Sequence, residues 1–271
     1  MHFTRICTDF YATRACSHVI RQSLFLVLFA LSLASRAQQV DVQNISIKNW
    51  TEPFELKCYK PKVNSPHPTI LLLHGREEIS VFPRLYQGYI DQLSTEGFEV
   101  CTLLYYTEED KTIMTGNDRA LRVQRYHVRL KNWVEKAKQA LTVLSERPEV
   151  DSSRLGILGF SQGAFVAMGV AASDNRIKAA AEVYGGMPKE FLNTASRLPA
   201  VLVLHGNADR VVPVTEAYAL EELLKERSVH YRMKIYEGAK HGYDSEPASG
   251  IAKDSYRQVV QFFLNELGHG G

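Results

Sequence analysis

The chain is predicted to fold as an α/β domain: a mostly parallel, twisted sheet of about eight strands with helices on both faces. Three observations carry that expectation. Short continuous apolar runs such as Thr69-Ile-Leu-Leu-Leu73 recur, as strands buried on both faces require. Stretches of helical period alternate with them, and that alternation places helices over a parallel sheet. The chain has 271 residues, 45% of them apolar, enough to bury one large core.

In order, 42–47 and 54–59 read as two strands joined by a turn, and 69–73 as a strand buried on both faces. Residues 83–95 are helical, with Leu85, Tyr89 and Leu93 on one face, and 99–105 is the next buried strand. The stretch 107–126 is polar and reads as irregular, with a turn at Gly116-Asn-Asp118. A helix over 127–146 carries the stripe Val134, Ala137, Leu141 and Leu144, and Pro148 ends it. Strand 154–159, helix 162–172 and strands 177–184 and 200–205 come next. Helix 215–226, strand 231–236 and a last helix bearing Tyr256, Val259, Val260, Phe263 and Leu267 complete the pattern. No internal repeat or linker interrupts it.

The N-terminus differs. Arg5, Arg14 and Arg21 precede the apolar run 24–34, and Ser35-Arg36-Ala37 follows it. Residues 1–37 read as a secretory signal cleaved near Ala37, leaving 38–271 as a single domain that is secreted or periplasmic. The run is short for a bilayer, so no stable membrane insertion is expected after its removal; an uncleaved anchor is the competing account. No cysteine directly follows the run, which argues against a lipid anchor. Cys7 and Cys16 would leave with the signal. Cys58 and Cys101 each fall in a strand and read as buried thiols by default, with pairing open to them in an oxidising compartment. Asn44-Ile-Ser46 and Asn49-Trp-Thr51 are glycosylation sequons. Net charge is +2 with both signs interspersed, so no nucleic-acid surface is expected. No cysteine or histidine spacing suggests a metal site. Oligomeric state is left open.

In such a sheet, chemistry belongs beyond the carboxyl ends of the strands. Four polar positions fall there: His74, Ser161, Asp209 and His241. Ser161 lies in Leu155-Gly-Ile-Leu-Gly-Phe-Ser-Gln-Gly163, between a buried strand and a helix rich in small residues. A serine in so tight a turn adopts a strained backbone, and Gly159 and Gly163 make room for it. The ordinary alternative is a serine N-cap. A serine hydroxyl needs a base within hydrogen-bond reach, and the base needs an orienting acceptor. His241, in the loop after the last strand, is the candidate base, with a plain surface histidine as the competing account. His74 and His205 each precede a glycine at a strand end and are weaker choices; His67, His127, His230 and His269 are expected away from this edge. Asp209, in the turn after 200–205, is the candidate orienting acid. Asp244 is the alternative, but sits too near His241 in sequence to hold its ring well. The backbone N–H groups of Gln162 and Arg76 are the expected donors to an oxyanion. Stretch 107–126 is expected to roof the pocket, with Tyr105 and Tyr106 at its root and Tyr243 opposite.

The residues Leu73-His-Gly75, Gly156 to Gly163, Tyr184-Gly-Gly186, Leu204-His-Gly-Asn-Ala-Asp209 and Tyr236-Glu-Gly-Ala-Lys-His-Gly242, in the order Ser, Asp, His, resemble the dienelactone hydrolase-like family of the α/β-hydrolase fold. The likeness runs from about residue 50 to the C-terminus and includes the lead-in from Pro148 to Arg154. The resemblance implies the fold, a Ser-His-Asp triad and cleavage of a small-molecule ester without metal or organic cofactor. Two departures concern the substrate. The founding enzymes use a cysteine where Ser161 stands. They also hold a substrate carboxylate with arginines, one of them where Ser245 stands. The dienelactone itself is therefore not implied. The sequence reads as a secreted serine hydrolase acting on carboxylic esters. Its rivals are a peptide hydrolase on the same scaffold, for which Glu77-Glu78 is a weak hint of an amine-binding loop, and a binding protein that keeps the fold without catalysis.

Overall fold

The computed structural model describes residues 41–48, 50–62, 66–193 and 197–268. The signal read over 1–37, Asn49 of the second sequon and His269 lie outside them. Eight strands form one sheet: β1 (Asp41–Ile47), β2 (Phe54–Lys60), β3 (His67–Leu73), β4 (Glu99–Leu103), β5 (Val150–Phe160), β6 (Ile177–Val183), β7 (Ala200–Gly206) and β8 (Tyr231–Tyr236). Their spatial order is β1-β2-β4-β3-β5-β6-β7-β8. β1 and β2 pair antiparallel, as does β2 with β4, while β4 through β8 run parallel. The described residues contain six α-helices: α1 (Pro83–Thr95), α2 (Glu108–Thr115), α3 (Arg119–Ser145), α4 (Gln162–Ser173), α5 (Thr215–Glu226) and α6 (Gly250–Leu267).

The apolar runs behave as strands buried on both faces. All seven residues of β3 are buried, and their side chains divide between two cores. Leu71 and Leu73 face one core with Leu155 and Ile157 of β5, Trp133 and Leu141 of α3, and Val166 of α4. Ile70 and Leu72 face the other, with Leu158 and Phe160 of β5, Leu93 of α1, and Phe262 and Phe263 of α6. The period-2 alternation of a strand thus feeds two helix layers at once.

The structure corrects the reading of 107–126. That stretch forms α2 and the first turns of α3. Thr107 and Asp110 make a reciprocal capping box, with hydrogen bonds of 3.0 and 3.1 Å. Asp118 then caps α3, accepting from the Leu121 N–H at 3.0 Å. The Gly116-Asn-Asp118 turn is present, but as a break between two helices. Asp110 is fully buried and accepts from Arg125 Nε (2.6 Å), Arg129 Nε (3.1 Å) and Trp133 Nε1 (3.0 Å), tying α2 to α3.

Cys58 and Cys101 are also corrected. They are register partners in the β2–β4 pair and form a disulfide, not two thiols. Cysteines facing each other across antiparallel strands can meet although 43 residues separate them in sequence.

Candidate active site

β5 ends at Phe160 and α4 begins at Gln162, so Ser161 is the whole connection. Its backbone is in the left-handed half of conformational space, φ +51° and ψ −118°. A non-glycine residue there is strained, and such strain persists where the surroundings over-determine it. Two glycines permit the turn. A Cβ on Gly159 would stand 2.3 Å from the Gly163 carbonyl oxygen, and one on Gly163 would stand 2.3 Å from the His74 carbonyl oxygen. The Ser161 N–H donates to Val183 O at 2.9 Å, which ties the turn to β6. The competing account, an ordinary N-cap, does not describe it: the Ser161 side chain makes no capping bond to α4.

The hydroxyl instead faces His241. Ser161 Oγ lies 2.9 Å from His241 Nε2, and His241 Nδ1 lies 2.7 Å from Asp209 Oδ2. The ring therefore carries its proton on Nδ1, donates it to the carboxylate and offers the Nε2 lone pair to the serine. Gly242, at φ +66°, turns the chain directly after the histidine. Burial alone would raise the pKa of Asp209. The hydrogen bond from His241 and those from the Val211 and Val212 N–H groups, at 2.8 and 2.9 Å, outweigh it and hold the carboxyl below its usual range.

The other imidazoles are engaged elsewhere. His74 is fully buried, donates from Nδ1 to Gly75 O at 2.7 Å and stacks on Tyr105 at 4.2 Å. Burial pushes it down to about 4, so it is neutral. His205 donates from Nε2 to Val212 O at 2.9 Å and braces the turn that carries Asp209. His127 departs from expectation: it lies in the wall of the pocket, not away from it. Asp244 does not take the acid's place at His241 Nδ1, which Asp209 holds. It is fully buried and accepts from Tyr89 and Tyr184.

Ser161, Gln162, Arg76 and His241 border a cavity of about 760 Å³. Gln162 opens α4, so its N–H has no acceptor within the helix. Arg76 follows Gly75, whose own N–H is taken by the Tyr86 hydroxyl at 2.9 Å. The Arg76 side chain is ion-paired with Glu77. Phe82, Leu85, Met114, Val123, Phe165 and Val212 make most of the wall apolar. Arg119 and Arg122 stand in the same wall and enter no ion pair among the described residues.

The stretch 107–126 supplies this roof, as expected, though as helix and not loop. Arg119, Arg122, Val123 and Tyr126 all reach the cavity. They are spaced three and four apart on α3, and that periodicity is the signal the sequence reading missed. The three tyrosines expected near the roof pack rather than line the cavity. Tyr105 and Tyr106 are buried behind the site: Tyr105 donates to His74 O at 2.8 Å, and Tyr106 accepts from Gln162 Nε2 at 2.6 Å. Tyr243 packs on Tyr184 and Tyr236. The wall draws on Tyr86, Tyr126 and Tyr184 instead. Among the described residues, Cys58, Glu99 and Cys101 come close enough together to suggest a metal site, but the two sulfurs are bonded to each other and cannot ligate as thiolates.

A serine raised on a strand-to-helix turn at the carboxyl edge of a mostly parallel sheet, facing a loop histidine, defines a protein of the α/β-hydrolase fold. The model of the dienelactone hydrolase family matches residues 58–267, and the chain belongs to that family. Solved structures share the fold at low identity. Dienelactone hydrolase from Anabaena variabilis superposes with a TM-score of 0.67 at 16% identity, covering 84% of this chain and 99% of that one. The hyperthermophilic esterase from the archaeon Pyrobaculum calidifontis gives 0.64 at 16% identity, covering 92% and 93%. A puromycin-hydrolyzing peptidase from Mycobacterium tuberculosis gives 0.65 at 20% identity, covering 87% of this chain but only 41% of the peptidase. No curated protein matches. Among the described residues, no helix is long and apolar enough to cross a membrane.

Proposed function

We propose that this hydrolase cleaves small-molecule carboxylic esters through an acyl-enzyme. The observation that carries the reading is the unbroken chain from Ser161 Oγ to His241 (2.9 Å) to Asp209 (2.7 Å) on the edge of a largely apolar cavity. In this reading the Ser161 oxygen attacks the ester carbonyl carbon as its proton passes to His241 Nε2. Asp209 stabilises the imidazolium that forms. The N–H groups of Gln162 and Arg76 receive the developing oxyanion. The imidazolium returns the proton to the departing alkoxide, and the alcohol leaves. Water, deprotonated by His241, then releases the acid and frees the serine. No step calls for a metal or organic cofactor. The apolar wall suits an acyl or alcohol group of some size.

The peptide-hydrolase rival has less support. Glu77 is paired with Arg76 and Glu78 with Lys111, so neither is a free anion waiting for a peptide amine. The peptidase that shares the fold is more than twice as long as the part this chain covers. We also propose an exported protein. The arginine-flanked apolar run at the N-terminus and the Cys58–Cys101 disulfide both fit an oxidising compartment.

The test is hydrolysis of short p-nitrophenyl esters by the wild type and Ser161→Ala. The variant is expected to lose roughly three or more orders of magnitude in rate. Equal turnover by the two proteins rejects Ser161 as nucleophile. Labelling by a fluorophosphonate, expected for the wild type alone, separates a hydrolase from a binding protein.

A further inference from the structure

The loop that carries His241 is held from beneath as well as from the side. Three residues after the histidine, Asp244 turns inward and is completely buried. Its Oδ2 accepts from the Tyr89 hydroxyl of α1 at 2.5 Å, and its Oδ1 from the Tyr184 hydroxyl at the end of β6 at 3.1 Å. Ser255 of α6 lies 2.7 Å from the Tyr89 hydroxyl. Since that hydroxyl spends its proton on Asp244, Ser255 is the donor to it. Two tyrosines far apart in sequence thus converge on one carboxylate, and Ser255 of α6 braces the first of them.

Tyr184 connects this cluster to the imidazole. Its ring meets His241 edge to face, with centroids 4.8 Å apart, while its hydroxyl reaches Asp244. Its backbone is at φ +46°, where a residue with a bulky side chain is strained. Of the described residues, three non-glycines adopt a positive φ, and two of them, Ser161 and Tyr184, touch His241. Strained residues gather where a side chain must be aimed. Gly242, between His241 and the buried anchor, is itself at φ +66°.

We propose that Asp244 is a positioning residue for the imidazole of His241, acting through Tyr184, whose ring its carboxylate holds against the histidine. The proposal rests on the esterase reading above. Asp209 fixes the ring at Nδ1; Asp244 and Tyr184 fix the face on which the ring lies, so that Nε2 meets the serine oxygen.

The electrostatics agree with this geometry. Around Asp244 stand Tyr86 and Tyr89 of α1, Tyr184 after β6, Tyr236 at the end of β8, Tyr243 of its own loop, and Ser255 and Tyr256 of α6. His241 also acts on it and favours its charged form. Burial pushes Asp244 up to about 6, against the hydrogen bonds from Tyr89 and Tyr184 that favour the anion. Below that pH the carboxyl takes up a proton and the clamp on Tyr184 weakens. Protonation of Asp244 then contributes to the loss of activity in acid.

Two variants test this by steady-state hydrolysis of p-nitrophenyl acetate across pH, with folding checked by circular dichroism. Tyr184→Phe keeps the ring and removes the clamp. Asp244→Asn keeps the volume and removes the charge. Both are expected to lose roughly ten- to a hundred-fold in kcat with KM changed little, because the ring is displaced while the cavity stays intact. The acidic limb of kcat/KM should move down in both variants. In Asp244→Asn the group that protonates near pH 6 is gone. In Tyr184→Phe the carboxylate remains, but the bond through which its protonation reaches the histidine is gone. A structural defect alone lowers kcat and leaves the limb in place. Folded variants with wild-type kcat and an unmoved limb overturn the proposal. If Asp244→Asn does not fold, Tyr184→Phe decides alone. A Ser161→Ala protein that stays active would instead sink the esterase reading beneath it.

Discussion

At the residue scale, the candidate site is three side chains on three carboxyl-edge connections, and each rests on a local device. For Ser161 the device is the strained turn, legible because Gly159 and Gly163 flank it and both contacts under 2.5 Å there are with backbone, which cannot yield. For Asp209 it is the turn in which Val211 and Val212 donate to one carboxylate oxygen, leaving the other for the histidine. Asp209→Asn is expected to lower kcat by roughly three to four orders of magnitude, because an amide presents either a donor or a neutral acceptor to Nδ1 and cannot stabilise an imidazolium. Steady-state kinetics with p-nitrophenyl acetate checks this; a loss of less than about ten-fold would show that Asp209 does not perform the role. The sequence reading named these residues because the roles proposed for them demand particular residue types at strand ends. It set Asp244 aside as the orienting acid and saw no other use for it. A buried carboxylate whose partners are a tyrosine of α1 and one just after β6 has no sequence signature, since nothing local links position 244 to 89 and 184.

At the element scale, the strands and most helices were legible and the roof was not. Strands such as β3 and β7 divide their apolar side chains between two cores, and that requirement writes a continuous hydrophobic run into the sequence. By contrast, α2 and the first turns of α3 face a cavity for the most part, and of α2 only Met114 joins a core. The inward stripe of α3 therefore mixes Arg119 and Arg122 with Val123 and Tyr126, and its period is hidden from a search for apolar residues. The caps Thr107 and Asp118 were the remaining clue. Strand pairing also escaped: the β2–β4 register that joins Cys58 to Cys101 is set by tertiary packing across 43 residues. The cap at the start of the roof is open to test. Thr107→Ala removes the acceptor for the Asp110 N–H and half of the capping box. It is expected to cost about 1 kcal/mol of stability. Met114, on the same helix, lines the cavity, so the variant should raise KM for long-chain p-nitrophenyl esters more than for the acetate. Thermal unfolding and a chain-length series measure the two effects; an unchanged chain-length profile would detach α2 from substrate binding.

At the scale of the whole molecule, the sheet keeps a second carboxyl in its interior beside the site. Glu182 lies in β6, next to Val183, whose carbonyl accepts the Ser161 N–H. It is fully buried. Its Oε2 accepts from the Gly185 N–H at 2.7 Å, and Oε1 finds no hydrogen-bond partner among the described residues. Burial pushes it up to about 8, only partly opposed by that one bond. At neutral pH the folded protein therefore holds a proton here that the unfolded chain, with its carboxyl near 4.5, has released. The native state binds more protons than the unfolded state throughout that interval, so stability falls as pH rises from about 4.5 and levels off once pH passes about 8. The full contribution is on the order of a few kcal/mol, a large share of a domain's net stability. Glu182→Gln keeps the size and an acceptor for Gly185 but cannot ionise, so its stability should lack this decline. Asp244 titrates in both proteins and cancels in the comparison. Denaturant unfolding of wild type and variant at pH 5, 7 and 9 reads the difference. The variant is expected to gain on the wild type between pH 5 and 7, gain further by pH 9 and gain little beyond. A constant offset at all three values would mean that Glu182 is already ionised in the fold and that burial does not govern it.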